Sequence, residues 1–140
     1  MEQIKEIYAT YVETAKKVNK KKSFFDGILG FGSSVKEHPC HQEFFDAVGD
    51  WCANLVESAP TAQQAEEAMR YILETPEAYK ERLPYWYMFA AHGQARPLVA
   101  FVSPQFAAQM VNWYESHYSR RDRMPVQQEL FDLLKKRAKA

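Results

Sequence analysis

Residues 3–19 of the chain read QIKEIYATYVETAKKVN, and the spacing of the apolar side chains in this stretch decides the fold class. Apolar residues recur every three or four positions, at Ile4, Ile7, Tyr8, Tyr11, Val12, Ala15 and Val18. In an α-helix, side chains at this spacing lie along one face. The stretch therefore predicts an amphipathic helix from about residue 3 to residue 19, with Lys20–Lys22 at its C-terminal end, where positive charge is favourable.

The same spacing recurs along the rest of the chain and predicts helices at about 39–57, 61–74, 104–117 and 125–138, with a shorter one from Thr75 to about residue 82. Thr61 followed by Gln64 forms a capping-box pattern, and Ser103 followed by Pro104 is a second helix start. No segment shows the sustained alternation of a β-strand. The sequence therefore predicts an all-α fold, a compact bundle of about five to six helices.

Two of the predicted helices share a weak internal similarity. Phe44 and Trp51 are seven positions apart, as are Phe106 and Trp113, and each pair precedes a proline and a Gln-Gln dipeptide. Two stacked helical hairpins plus an N-terminal helix would produce this similarity, and so would two unrelated amphipathic helices. A true repeat usually has three or more copies, so both interpretations stay open.

Length and charge restrict the functional class. The 140 residues fit a single domain spanning 1–140, and 46% of them are hydrophobic, which is enough for a packed core. The 18 Lys and Arg residues balance 18 Asp and Glu residues. A nucleic-acid-binding protein usually has a basic excess, because counterion release drives its affinity. Nucleic-acid association is therefore the least favoured of three functional hypotheses.

The two cysteines, Cys40 and Cys52, are twelve positions apart on one predicted helix. A rise of about 1.5 Å per residue separates them by about 18 Å, beyond the reach of a disulfide. No leader peptide is recognisable before the first helix, and no apolar run approaches the length of a membrane span. We expect a cytoplasmic protein without an integral membrane segment.

Residues 23–37 interrupt the helical pattern, and we expect a hydrophobic, glycine-containing loop there. Its glycines lack the spacing of a dinucleotide-binding or phosphate-binding loop. Phe24, Phe25 and Phe31 are candidate anchors for a partner protein. The alternatives are a loop folded back over the core and, less favoured, attachment to a lipid surface together with Lys20–Lys22.

A cluster of histidines and a cysteine at the start of the second helix carries the metal hypothesis. His38, Cys40 and His41 have side chains that bind transition metals. If the helix ending at His117 packed antiparallel to the second helix, His117 would supply a further ligand. In the alternative, His38 caps the helix, His41 is solvated and His117 lies at the edge of the core.

The same cysteine also carries a thiol hypothesis. A thiol in the first turn of a helix near histidines can have a lowered pKa and act as a nucleophile or redox sensor. His38 or His92 would be its general base. The alternative is an inert, partly buried Cys40, because free cysteine usually behaves as a small hydrophobic residue.

A last candidate is a ligand pocket around Tyr85, Tyr87, His92 and Arg96, which place hydrogen-bonding groups beside an apolar segment. A crowded core with tyrosine hydroxyls at its edge would have the same sequence. Because no catalytic constellation is recognisable, the sequence favours a non-enzymatic domain that binds a protein partner or itself. The metal- or thiol-dependent site is the first alternative.

Overall fold

The computed structural model describes the backbone of residues 1–29, 38–80 and 85–140, together with the side chains of 1–18, 38–80 and 85–140. Over these residues the chain is all-α, as expected from the sequence. The described residues form six α-helices, which are α1 (Glu2–Leu29), α2 (Cys40–Glu57), α3 (Ala62–Glu74), α4 (Trp86–Ala90), α5 (Pro104–His117) and α6 (Pro125–Ala138). Shorter 3-10 helices lie at Thr75–Tyr79, Ala91–Phe101 and Arg120–Asp122.

The helices begin where the sequence places caps. The Thr61 side chain accepts a hydrogen bond from the Gln64 backbone N–H, and the Gln64 side chain accepts one from the Thr61 N–H. Ser103 accepts from the Phe106 N–H at the start of α5. Each cap satisfies backbone donors that a helix leaves unpaired at its first turn. These caps confirm the predicted starts of α3 and α5.

The 3-10 helix Ala91–Phe101 is the centre of the bundle, because α2, α3, α4 and α6 all pack against it. Pro97 lies inside this segment, and a proline cannot donate the backbone hydrogen bond of a regular α-helix. The segment buries the side chains of Ala91, His92, Ala95, Leu98 and Val99. The segment therefore lies in the core of the bundle without forming a regular α-helix.

The remaining contacts decide how the helices pair. α5 packs against α6, while α1 packs mainly against α2. α2 and α3 are both held by the 3-10 helix Ala91–Phe101, so their main packing is on that segment. Of the two suggested hairpins, α5 with α6 is a principal packing pair and α2 with α3 is not. The sequence similarity of α2 and α5 is therefore not accompanied by a repeated packing arrangement.

The first helix is longer than the sequence pattern predicts. α1 continues to Leu29, so the expected loop is wrong for residues 23–29, and Lys20–Lys22 lie within the helix instead of at its end. The apolar stripe weakens after Val18, but none of the residues that follow is a proline, and the backbone stays helical. Residues 30–37 of the expected loop lie outside the described residues.

Among the described helices, none combines the length and the apolar character that crossing a membrane requires.

Candidate functional site

An open groove runs between α1 and α2 and has a volume of about 630 Å³. Its α1 wall extends from Gln3 to Thr14 and its α2 wall from Cys40 to Asn54. Both helices follow an amphipathic pattern, and the groove lies where the edges of their apolar faces meet solvent. The complete lining consists of Gln3, Glu6, Ile7, Thr10, Tyr11, Thr14, Cys40, Glu43, Phe44, Ala47, Asp50, Trp51 and Asn54. We call this feature the α1–α2 groove.

The floor of the α1–α2 groove is aromatic. Tyr11 and Phe44 are buried and stack with their ring centroids 4.2 Å apart. Ile7, Ala47 and Trp51 are partly buried and continue the apolar surface along the groove. Partly exposed aromatic and aliphatic side chains in a concave surface are typical of sites that receive apolar groups of a partner.

The rim of the groove is polar and acidic. Glu6 lies on the α1 wall, and Glu43 and Asp50 lie on the α2 wall, all three exposed. Every charged residue among the lining residues is a carboxylate. The charges that line the groove are therefore all negative, although the whole chain carries equal numbers of acidic and basic residues.

The histidines proposed as metal ligands have other partners. The backbone N–H of Cys40 donates to Nδ1 of His38 at 3.1 Å, which makes His38 a cap of α2. His41 is buried, with Nδ1 2.7 Å from the hydroxyl of Tyr11 and its ring stacked on Tyr87. The described part of the chain contains no group of three or more His, Cys, Asp or Glu side chains placed to hold a metal ion.

His117 does not join that cluster, which corrects the suggested antiparallel packing of α2 and the helix ending at His117. α5 packs mainly on α6. The His117 ring stacks on Trp113 with centroids 4.3 Å apart, and its Nδ1 lies 2.8 Å from the Trp113 carbonyl oxygen. The ring is thus engaged by its own helix. His41 also departs from the alternative interpretation, in which it was expected to be solvated.

The thiol of Cys40 faces the groove but is not activated. Burial raises the pKa of Cys40, and the negative charge of Glu43 raises it further. The expected lowering at the helix N-terminus is therefore wrong in direction, because desolvation and the neighbouring carboxylate outweigh it. Burial also raises the pKa of Cys52 to about 12, and neither cysteine forms a disulfide.

His92 lies inside the core. Its Nδ1 is 2.6 Å from the hydroxyl of Tyr114 and 3.3 Å from Nε2 of Gln127. The Gln127 side-chain oxygen accepts from the Met124 N–H, which fixes the amide orientation. Burial lowers the pKa of His92 to about 3, although the Leu73 backbone acts in the opposite direction. The imidazole is a neutral structural link between α5, α6 and the 3-10 helix Ala91–Phe101.

The other members of the proposed ligand pocket differ in their exposure. Arg96 is exposed, pairs with Glu129 and donates from Nε to the Gly93 carbonyl oxygen. Tyr85 is buried, with its hydroxyl 3.5 Å from the Val12 carbonyl oxygen. Tyr85 and His92 are thus buried, Tyr87 is partly buried and Arg96 is exposed. The ligand pocket around these four residues stays a prediction.

The proposed aromatic anchors cannot be placed in a site. The side chains of Phe24 and Phe25 lie outside the described residues, although both positions belong to the backbone of α1. Phe31 also lies outside them. The anchor hypothesis for these residues therefore stays a prediction.

The sequence does not predict the groove, because its residues come from two helices, and the apolar spacing of each helix does not show that the two pack together. One signal was present. In both stretches an acidic residue directly borders the apolar stripe, as Glu6 borders Ile7 and Glu43 borders Phe44. Such residues lie at the edge of a buried face, and two of these edges become a site only when their helices pack side by side.

Comparisons of this chain with protein-family models, with curated proteins and with solved structures found no match.

Proposed function

We propose that this chain is a protein-interaction domain that binds one helix of a partner protein in the α1–α2 groove. The observation that carries the proposal is the groove itself, a concave surface between two helical walls in which Ile7, Ala47 and Trp51 are partly exposed beside the buried Tyr11–Phe44 stack. Amphipathic helices that lay their apolar face into such a groove are a recurring mode of protein recognition.

The dimensions of the groove support a helical occupant. The α1 wall from Gln3 to Thr14 spans eleven residue steps, or about 16 Å of helix axis. A partner helix about three turns long would match the α1 wall in length and would lay one face into the groove.

Hydrophobic burial supplies the affinity in this arrangement. Ile7, Ala47 and Trp51 present partly exposed apolar surface that a partner side chain removes from water. Each fully buried Leu, Ile or Phe of a partner contributes about 1.5–3 kcal/mol before the cost of association. Two or three such anchors, at the i, i+3 or i+4 and i+7 positions of the partner, suit a groove about three turns long.

Selection of a displayed library of helical peptides against the whole chain tests the proposal. Ala47 lies half-buried in the lining, so Ala47→Trp places an indole in the groove. Ala53, an exposed residue of the same helix outside the lining, provides the matched control Ala53→Trp. Both variants are first checked for native helicity by circular dichroism.

We expect the selected peptides to bind the wild-type chain and Ala53→Trp equally, and to bind Ala47→Trp at least about tenfold more weakly, a loss of about 1.4 kcal/mol. Peptides that bind Ala47→Trp as tightly as the wild-type chain would contradict the proposal. A selection that enriches no binder above background would contradict it as well.

A further inference from the structure

We infer that the helix bound by this domain is basic, with Lys or Arg on both sides of its apolar stripe. This inference rests on the proposed function and specifies the partner for the same groove. The observation behind it is the charge of the rim, where Glu6, Glu43 and Asp50 are the charged lining residues.

The three carboxylates are placed so that a helix in the groove meets negative charge on both sides. Glu43 and Asp50 are seven positions apart on α2, which is two turns, or about 10.5 Å along one face. Glu6 lies on the opposite wall, on α1. A partner with basic residues two turns apart on one flank and a further basic residue on the other flank matches this pattern.

These carboxylates are also free to accept a partner. In the described part of the chain, salt bridges join Arg70 to Glu74, Lys80 to Glu77 and Arg96 to Glu129. Within those same residues, Glu6, Glu43 and Asp50 have no such bridge.

Helix stabilisation accounts for only part of this acidic rim. Glu43 is in the first turn of α2, where negative charge stabilises the helix N-terminus. Asp50 is in the third turn and receives no such benefit, because the effect falls off within the first turn. The cluster as a whole is better explained by recognition of a cation.

The charge also argues against other occupants. Nucleic-acid backbones and acidic lipid surfaces are anionic, and a rim of three carboxylates repels them.

A second copy of this chain is also a poor occupant of the groove. Among its described residues the exposed large hydrophobic side chains are Met1, Trp86 and Leu133, which belong to different parts of the fold. They do not form the continuous apolar stripe that the groove requires.

Three synthetic helical peptides test the inference against the whole chain. They share one apolar face and carry Lys, Gln or Glu at the flanking positions. Titration calorimetry is performed at low and at high salt on the wild-type chain, on Ala47→Trp and on two double variants. Glu43→Gln with Asp50→Asn removes charge from the groove, and Glu13→Gln with Glu57→Gln removes the same charge from exposed positions of the same two helices outside the lining.

We expect the Lys peptide to bind about tenfold more tightly than the Gln peptide at low salt, since an exposed ion pair gives a few-fold gain and three pairs are available. The Glu peptide should bind most weakly. High salt should reduce the difference, because the charges are exposed. Glu43→Gln with Asp50→Asn should lose most of the preference for Lys, and Glu13→Gln with Glu57→Gln should retain it.

The outcomes separate the two proposals. If the three peptides bind equally and Ala47→Trp weakens all of them, the groove binds a helix and the inference of a basic partner is overturned. If Ala47→Trp weakens none of them, or none binds, the proposed function fails as well. A dimer of the chain alone, seen by light scattering and converted to a monomer by Ala47→Trp, would assign the groove to a second copy and overturn the inference.

Discussion

The rings of Tyr11 on α1 and Phe44 on α2 stack with centroids 4.2 Å apart and planes 17° from parallel. Tyr8, one turn earlier on α1, meets the same Phe44 ring edge-on at 4.9 Å. This aromatic contact joins α1 to the bundle and also forms the floor of the α1–α2 groove. The stability of the α1–α2 pair and the shape of the groove therefore depend on the same side chains.

Phe44→Ala should lower the free energy of unfolding by about 3–5 kcal/mol, because it removes a buried ring and leaves a cavity between Tyr8 and Tyr11. Urea unfolding followed by circular dichroism measures the change. Trp86 is 43% exposed, so Trp86→Ala is the control and should change stability by less than about 1 kcal/mol. Equal losses in the two variants would show that the α1–α2 contact does not stabilise the fold.

Acid should destabilise the protein through His92. Its pKa is about 3 in the folded state and about 6.5 when unfolded, so below pH 6.5 the unfolded state binds a proton that the folded state does not. Stability is then fully present above pH 6.5 and is lost as the pH falls, by about 2 kcal/mol between pH 7 and pH 5 from this residue alone. Urea unfolding at several pH values measures the loss.

His92→Gln is the comparison for that experiment, because glutamine keeps a hydrogen-bonding side chain and does not titrate. The carboxylates titrate in both proteins and cancel in the difference. The variant should therefore show a smaller decrease in stability between pH 7 and pH 5 than the wild-type chain. Parallel pH dependence in the two proteins would contradict the burial of a neutral imidazole.

Gly93 marks a close approach between the 3-10 helix Ala91–Phe101 and α6. A Cβ atom added at Gly93 would lie 2.8 Å from Cβ of Val126. That atom is bonded directly to the backbone of α6, so a side-chain rotation cannot move it away. Gly93→Ala should therefore destabilise the fold by about 1–3 kcal/mol through overpacking. Thermal unfolding monitored by circular dichroism measures this loss.

Gly49→Ala provides the contrast, because the added Cβ meets the end of the flexible Gln94 side chain, 2.6 Å from Nε2. That side chain can move away, at the expense of its hydrogen bond to the Phe45 carbonyl oxygen, and alanine improves helix propensity. The loss at Gly49 should be smaller than at Gly93. The reverse order would show that α6 is not packed closely against Gly93.

The two cysteines should be less reactive than an ordinary thiol. Burial and Glu43 raise the pKa of Cys40, so its alkylation by iodoacetamide at pH 8 should be slower than that of free cysteine. Burial raises the pKa of Cys52 from 9.0 to about 12, which lowers its thiolate fraction about a thousandfold. Mass spectrometry of peptides from folded and urea-unfolded protein measures both rates. Faster alkylation of Cys40 than of free cysteine would restore the thiol hypothesis.

Much of the fold could be predicted, because local chemistry determines helix starts. The capping box of Thr61 and Gln64, the Ser103 cap and Pro125 each begin a helix as expected. The end of α1 could not be predicted in the same way. After Val18 the apolar stripe weakens, and no proline marks a stop, so the pattern suggested a loop from residue 23 although the backbone stays helical to Leu29.

The candidate site was much harder to predict than the fold. A buried histidine and a pocket histidine have the same sequence surroundings, so the sequence does not distinguish the buried His92 from a residue beside the exposed Arg96. Only the further metal ligand His117 depends on α2 lying beside the helix that ends at His117, and the packing of α5 on α6 does not provide that. The α1–α2 groove depends on which helix faces act together, and helical spacing alone does not contain that information.

A paramagnetic label on a bound basic helical peptide tests the central claim most directly, because it reports where the peptide lies on the protein. With the label at the middle of the peptide, we expect the amide resonances of Ile7, Ala47 and Trp51 to broaden beyond detection, while those around Leu133 on α6 keep their intensity. Broadening centred on α6, or spread evenly over the surface, would contradict binding in the α1–α2 groove.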